Sequence, residues 1–327
     1  MKGNRRTWPA SNFRGPAEYP NIYPGLRPAS DYLLGHDGQK VPRVYLLHET
    51  NLRNLGNCFI TYEGKEKKLD DYLHSQGRYP IENRIPSLAY GSNVNPMQLV
   101  TRKFGVLKKG FELPDIDTVV LKGSTPDYSA VYTASVAAYG SVPAKIIPSA
   151  GTMETWLLLL DEEQLRRMHD TEGVKTGTYG VGLQAFEKEC LALDAYGYLG
   201  GRRKVFVNAE GKPVRFAGPE YSGTYMAVKA GKDFVPIAGG DGSFPEMAEI
   251  EIMTRYDEMA RSTLGYPLYA KASVNGRDAW LLTQDAKGNL TDVNRYLDTM
   301  GMIIEPGTGL MSNPYELGDF KRLKDLL

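Results

Sequence analysis

Trp156 is followed by four leucines, Leu157 to Leu160, and then at once by Asp161. An unbroken apolar run of this length shows no in–out alternation, so it reads as a strand covered on both faces. Asp161 is a good helix N-cap, and Gln164 at the third helical position completes a capping-box pattern. The spacing therefore predicts a buried strand that feeds directly into a short helix, with Leu165 and Met168 inward and the end by Thr171. Ala144–Pro148 reads as a second strand, paired with Thr155–Leu160 through a turn at Ser149-Ala150-Gly151.

Around this centre, strands and helices mix without regular βαβ alternation, which argues for an α+β fold and against a doubly wound sheet. Val41–Leu47, Cys58–Tyr62 and Arg84–Tyr90 read as strands, and Lys67–Ser75 as a short helix with Leu69, Tyr72 and Leu73 on one face. Pro86 confines the start of the third strand to an edge or strand end. Pro96, Met97, Leu99 and Val100 suggest a further short helix with proline in its first turn. Val205–Phe216 is expected to be a hairpin around Asn208–Gly211, with one more strand near Thr224–Val228. Phe244–Leu264, bounded by Pro245 and Gly265, is the best helical pattern, with Met247, Ile250, Met253, Ala260 and Leu264 as its apolar stripe. Tyr269–Thr283 alternates around Asn275-Gly276, a strong hairpin signal. A last helix is expected over Asp292–Met300, capped by Thr291. Residues 1–30, rich in Pro, Gly, Asn and Tyr, read as a surface arm, and the final residues as a surface tail.

Several function classes are disfavoured by the chemistry of the chain. Lys plus Arg and Asp plus Glu both number 39, so no net charge draws it to nucleic acid or an anionic membrane. Two cysteines, Cys58 and Cys190, stand far apart and form no disulfide framework or Cys-rich zinc site. His36, His48, His74 and His169 show no metal-ligand spacing, and His169 reads as a surface or hinge residue. No segment reaches the roughly 18 apolar residues of a membrane span, and no apolar run follows the N-terminal Lys and Arg residues. The expectation is a cytoplasmic protein. Arg202-Arg203-Lys204 reads as a solvated loop or strand edge.

Two segments carry the chemistry. Leu88-Ala89-Tyr90-Gly91-Ser92-Asn93 is a strand ending in a polar turn, where Gly91 lets a ligand approach the main chain and successive N–H groups can form an anion nest. Glu172-Gly173-Val174-Lys175-Thr176-Gly177-Thr178-Tyr179 places a carboxylate just past a helix end. In an apolar pocket such a carboxyl is expected to have a raised pKa and to exchange a proton near neutral pH.

Taken together, Tyr-Gly-Ser-Asn and the later Glu-Gly-Val-x-x-Gly-x-Tyr resemble the γ-glutamyl cyclotransferase family. The stretch Lys145-Ile146-Ile147-Pro148-Ser149-Ala150-Gly151 and the segment Asp161-Glu162-Glu163-Gln164-Leu165 are similar to that family as well, so the likeness runs in order over residues 85–200. The resemblance implies a small mixed β-barrel with helices packed outside, which needs no metal or cofactor. It implies Glu172 as the catalytic acid/base, a substrate-binding loop of Tyr90, Gly91, Ser92 and Asn93, and Tyr179 lining the same pocket. The implied partner is a small-molecule γ-glutamyl compound, cyclised to 5-oxoproline with release of an amine. The alternatives are a catalytically silent binding module on the same fold, which would have no need of a carboxylate at 172, and an isopeptidase acting on γ-glutamyl-lysine, which would use the same residues. On this reading residues 1–80 are an N-terminal extension and 81–265 the cyclotransferase-like domain, with a Gly-rich insertion near 200–245. Residues 266–327 then form a C-terminal extension.

Overall fold

The computed structural model describes the chain apart from residues 1–6, 21–22, 24, 49, 105–115, 190, 200, 217–233, 236–243, 275 and 305–309. The strands used below are β1 (Tyr32–His36), β2 (Pro42–Leu46), β3 (Ile85–Ala89), β4 (Thr118–Tyr132), β5 (Ala144–Leu160), β6 (Gly180–Lys188), β7 (Leu191–Leu199), β8 (Tyr269–Val274) and β9 (Arg277–Leu282). The helices are α1 (Leu69–Ser75), α2 (Glu162–Glu172), α3 (Glu249–Thr263) and α4 (Leu290–Thr299).

Five strands close on themselves. β3 runs antiparallel to β5 from Ile85↔Leu160 to Ala89↔Trp156, and β5 runs antiparallel to β4 from Val119↔Leu159 to Tyr132↔Ala144. β4 meets β6 at Ser124↔Glu187, β6 and β7 form a long hairpin, and β7 returns parallel to β3 at Tyr196↔Ser87. The fold is thus α+β, a closed five-stranded barrel with helices around it. Closure removes the free edges that an open sheet would expose.

The leucine run is buried throughout, as its lack of alternation implies. Trp156, Leu158 and Leu160 pack in one core with Ile85, Ala89 and Tyr32, while Leu157 and Leu159 pack in a second with Leu88, Val119 and Phe186. Asp161 caps α2: its carboxylate accepts from Gln164 N–H at 2.8 Å, and the Gln164 side chain accepts from Asp161 N–H at 3.0 Å. The helix runs one residue further than expected, to Glu172, and Gly173 ends it in the left-handed region at φ 68°.

Several expectations need correction. Ala144–Pro148 and Thr155–Leu160 are not a hairpin but the two ends of one strand that passes straight through Ser149-Ala150-Gly151. The partner of both ends is β4, in which Asp127 at φ 61° marks a bulge between Pro126 and Tyr128. Residues 7–30 are no loose arm, since Phe13, Tyr19, Tyr23 and Leu26 are buried. Strand β1 pairs with β4 beyond the barrel, and β2 and Thr7–Pro9 extend that sheet. The C-terminal tail is also packed, with Leu317, Phe320 and Leu323 buried and Leu323 N–H donating to Arg84 O at 2.8 Å.

Helix α3 starts later than the sequence pattern suggests because Glu246–Met247 pairs as a strand with Arg215–Phe216. Its buried face is Ile252, Met253, Tyr256 and Ala260, and Ile250 is only half-buried. The hairpin β8–β9 forms as expected, with Gly276 at φ 74°. Val205–Pro213 folds back at Asn208, whose N–H donates to Lys212 O. Helix α4 begins at Leu290 with Asn289 as its cap, not at Asp292 with Thr291 as its cap. The strand expected near Thr224–Val228 and Cys190 lie outside the described residues, and Cys58 is a buried free thiol. Among the described residues no helix is long and apolar enough to cross a membrane.

Candidate functional site

The end of β3 and the end of α2 meet at a cavity of about 370 Å³, a size suited to a small molecule. Each enters it for a local reason. Strand β3 stops at Ala89, Tyr90 follows, and Gly91 to Asn93 make a tight turn that continues as Ser92–Val94. Helix α2 stops because Gly173 takes a conformation that side-chain-bearing residues avoid. Glu172 is therefore the last helical residue, and its side chain is 14% exposed.

The cavity wall includes Tyr90, Gly91, Ser92, Asn93, Glu172 and Tyr179 together. The Asn93 side-chain amide donates to Glu172 Oε1 at 2.9 Å, which ties the two distant segments to each other. Tyr90 donates its hydroxyl to Tyr198 O and Tyr179 donates to Ala144 O, both at 2.7 Å. Both phenols are thus tied to the main chain, and both residues line the cavity. The Ser92 side chain and the Tyr139 phenol are hydrogen-bonded.

Sequence reasoning missed the cations. Lys103, with a side chain 7% exposed, donates to Glu172 Oε1. It ends a π turn over Leu99–Lys103, in which Phe104 N–H reaches back to Leu99 O at 2.9 Å. Arg102 lies over the Tyr139 ring at 5.2 Å and Arg203 over the Tyr179 ring at 5.7 Å, and both line the cavity. The solvated reading of Arg203 is therefore corrected: it is half-buried, and its carbonyl accepts from the buried Lys145 ammonium at 2.9 Å. Tyr23, from the segment expected to be a loose arm, is a further wall residue, and its hydroxyl accepts from Ala144 N–H at 3.1 Å.

These cations reverse the expected proton affinity of Glu172. Burial pushes its carboxyl up, but Lys103, the Asn93 amide and Arg203 together outweigh burial and hold it below the usual carboxylate value. The raised pKa expected from the sequence does not hold; Glu172 is ionised at neutral pH. Burial, and then the charge of Glu172, pushes the Tyr139 and Tyr198 phenols up, so both are neutral there. His169 is not a surface residue. It is fully buried on α2, its Nδ1 2.8 Å from the Tyr198 hydroxyl, and burial lowers its pKa to about 4. Among the described residues no cluster of three or more His, Cys, Asp or Glu side chains converges as a metal site would.

Fold and site together define a closed barrel beside a cavity that, among the described residues, is lined by one carboxylate together with cations and phenols. Its likenesses to solved structures are as follows. A γ-glutamyl cyclotransferase shares 18% identity, over 37% of this chain and 68% of that one, at a TM-score of 0.29. An uncharacterized protein from Homo sapiens shares 19%, over 38% and 70%, at 0.29. YkqA from Bacillus subtilis shares 14%, over 58% and 79%, at 0.26. No family model and no curated protein matches the chain.

Proposed function

We propose that the cavity is an active site of the γ-glutamyl cyclotransferase kind, in which the α-amine of a γ-glutamyl group attacks its own γ-carbonyl and releases 5-oxoproline and an amine. The observation that carries this reading is that Glu172, the one carboxylate lining the cavity of about 370 Å³ among the described residues, is held by Asn93 of the Tyr90–Asn93 loop.

The chemistry needs little more. Substrate nucleophile and electrophile are already joined, so folding the substrate correctly supplies much of the acceleration by proximity. The ring nitrogen sheds two protons between α-ammonium and lactam, and the departing nitrogen gains two on becoming an ammonium. Glu172, ionised in the free site, accepts one and returns it to the leaving nitrogen, while the second exchanges with solvent. The carbon–nitrogen bond to the leaving group breaks as the lactam forms. Negative charge gathering on the γ-oxygen calls for donors, and in this reading they are the main-chain N–H groups of the Gly91–Asn93 turn, whose residues line the cavity.

The test is a panel of γ-glutamyl amino acids, γ-glutamyl amines and γ-glutamyl-lysine, with 5-oxoproline measured by mass spectrometry. At least one member should turn over, and Glu172→Gln should lower its kcat by about 10²–10⁴-fold, the usual range for a general acid/base. Equal turnover by the Gln variant removes Glu172 from the reaction. Release of 5-oxoproline from no member leaves a binding module in place of an enzyme.

A further inference from the structure

We propose that Lys103 recognises the α-carboxylate of the γ-glutamyl group, exchanging its bond to Glu172 for one to the substrate as the substrate α-ammonium takes its place on Glu172. This deepens the reading above and rests on it.

The argument is geometric. Glu172 can take a proton from the α-ammonium only if that ammonium sits against its carboxylate. The α-carboxylate is two bonds away through the α-carbon, so its oxygens lie within about 3 Å of that nitrogen. A substrate docked for proton transfer therefore brings its negative end beside the cation nearest Glu172. That cation is Lys103, which already donates to Glu172 Oε1. Lys103 and Glu172 form a cation–anion pair, and the α-carbon of the substrate carries the complementary pair. Laid against each other, the two pairs exchange partners with no charge left unmatched, which matters because an unmatched buried charge is strongly unfavourable.

The placement of Lys103 supports a role beyond filling space. It closes a π turn, in which Phe104 N–H bonds Leu99 O, and such turns are rare and concentrate at functional positions. An ammonium also suits exchange: it has three donors on a rotatable stem, so it can pass from one carboxylate to another without losing its first partner abruptly. The two other cavity cations are differently placed, since Arg102 lies over Tyr139 and Arg203 over Tyr179.

The experiment deletes each side of the contact in turn. The panel's best γ-glutamyl compound is compared with its 4-aminobutanoyl counterpart, which has the same amine, amide and leaving group but no α-carboxylate. Cyclisation of the counterpart gives 2-pyrrolidinone. The quantity read is the ratio of kcat/KM for the two compounds, in the wild-type protein and in Lys103→Met and Lys103→Arg. Lys103→Met should lower that ratio about 10- to 100-fold, the loss expected for one hydrogen bond between charged groups. Most of the loss should appear in KM, and Lys103→Arg should recover part of it. A variant that is merely less well folded loses both substrates alike and leaves the ratio unchanged. If the wild-type protein releases 5-oxoproline and Lys103→Met keeps the wild-type ratio, the role of Lys103 is overturned and the proposed function stands. No 5-oxoproline from any γ-glutamyl compound overturns both.

Discussion

Gly91 is needed for space, and that can be tested by a pair of substitutions. Its φ of −130° is open to any residue, so alanine meets no backbone obstacle from φ there. A β-carbon at 91, however, would lie 2.5 Å from the Tyr23 hydroxyl oxygen, closer than such contacts occur, and 3.5 Å from Tyr23 Cζ, an ordinary contact. Tyr23 is buried and cannot simply swing into solvent, and its hydroxyl is the acceptor for Ala144 N–H. Gly91→Ala must therefore overpack the wall, at about 1–3 kcal/mol. It also threatens the Ala144 N–H with losing its acceptor, at about 1–3 kcal/mol. The sum expected in urea unfolding is about 2–5 kcal/mol. Tyr23→Phe removes the oxygen that clashes and, alone, forfeits only the hydrogen bond. Added to Gly91→Ala it should recover the overpacking part, making the double variant more stable than Gly91→Ala. If the double variant is less stable than Gly91→Ala by the full effect of Tyr23→Phe, the two residues do not compete for space and the reasoning fails.

Two further outcomes follow from groups behind the cavity. His169 has a folded pKa of about 4 against an ordinary 6.5, so between those values the unfolded chain binds a proton that the folded one refuses. Its contribution to stability is complete above pH 6.5 and declines by about 3 kcal/mol as pH falls to 4. Urea midpoints over that range should fall less steeply in His169→Phe; an identical slope would show that His169 is free to protonate. Phe320 is buried with its ring centroid 4.3 Å from that of Tyr196 and 5.8 Å from that of His169. Phe320→Ala should destabilise the fold by about 3–5 kcal/mol in the same assay, and a change below about 1 kcal/mol would mean the C-terminal segment is not part of the core.

The parts of the fold legible in the sequence are those whose signal is local. The Asp161–Gln164 capping box and the Asn-Gly hairpin are complete within a few residues, and the run Trp156–Leu160 declares its own burial. Strand β4 is the opposite case. Gly123, Pro126 and Asp127 break its alternation, and those residues belong to the bend that lets one long strand serve both ends of β5. The Ser149-Ala150-Gly151 turn signal misleads for the same reason, since the partner that keeps the strand straight is distant in the chain. Residues 7–30 and the C-terminal segment carry no period because they are held by tertiary contacts, such as Leu323 N–H to Arg84 O, and not by a pattern of their own.

The candidate site divides along the same line. Tyr90–Asn93 and Glu172 lie where a strand and a helix end, and strand and helix ends are visible in sequence. Lys103 is not, because nothing local distinguishes a lysine after Leu99-Val100-Thr101-Arg102 from a solvated one; only the π turn and the arrival of α2 make it a partner of Glu172. Yet that unseen ammonium, together with the Asn93 amide and Arg203, reverses the proton affinity that the carboxylate would have alone. A carboxyl group read from its own segment is judged against solvent or an apolar wall. In the folded chain it is judged against the nearest charge, and the identity of that charge is a property of topology. The sequence can therefore nominate the acid, whereas its working state at neutral pH is set by which cation the barrel brings to it.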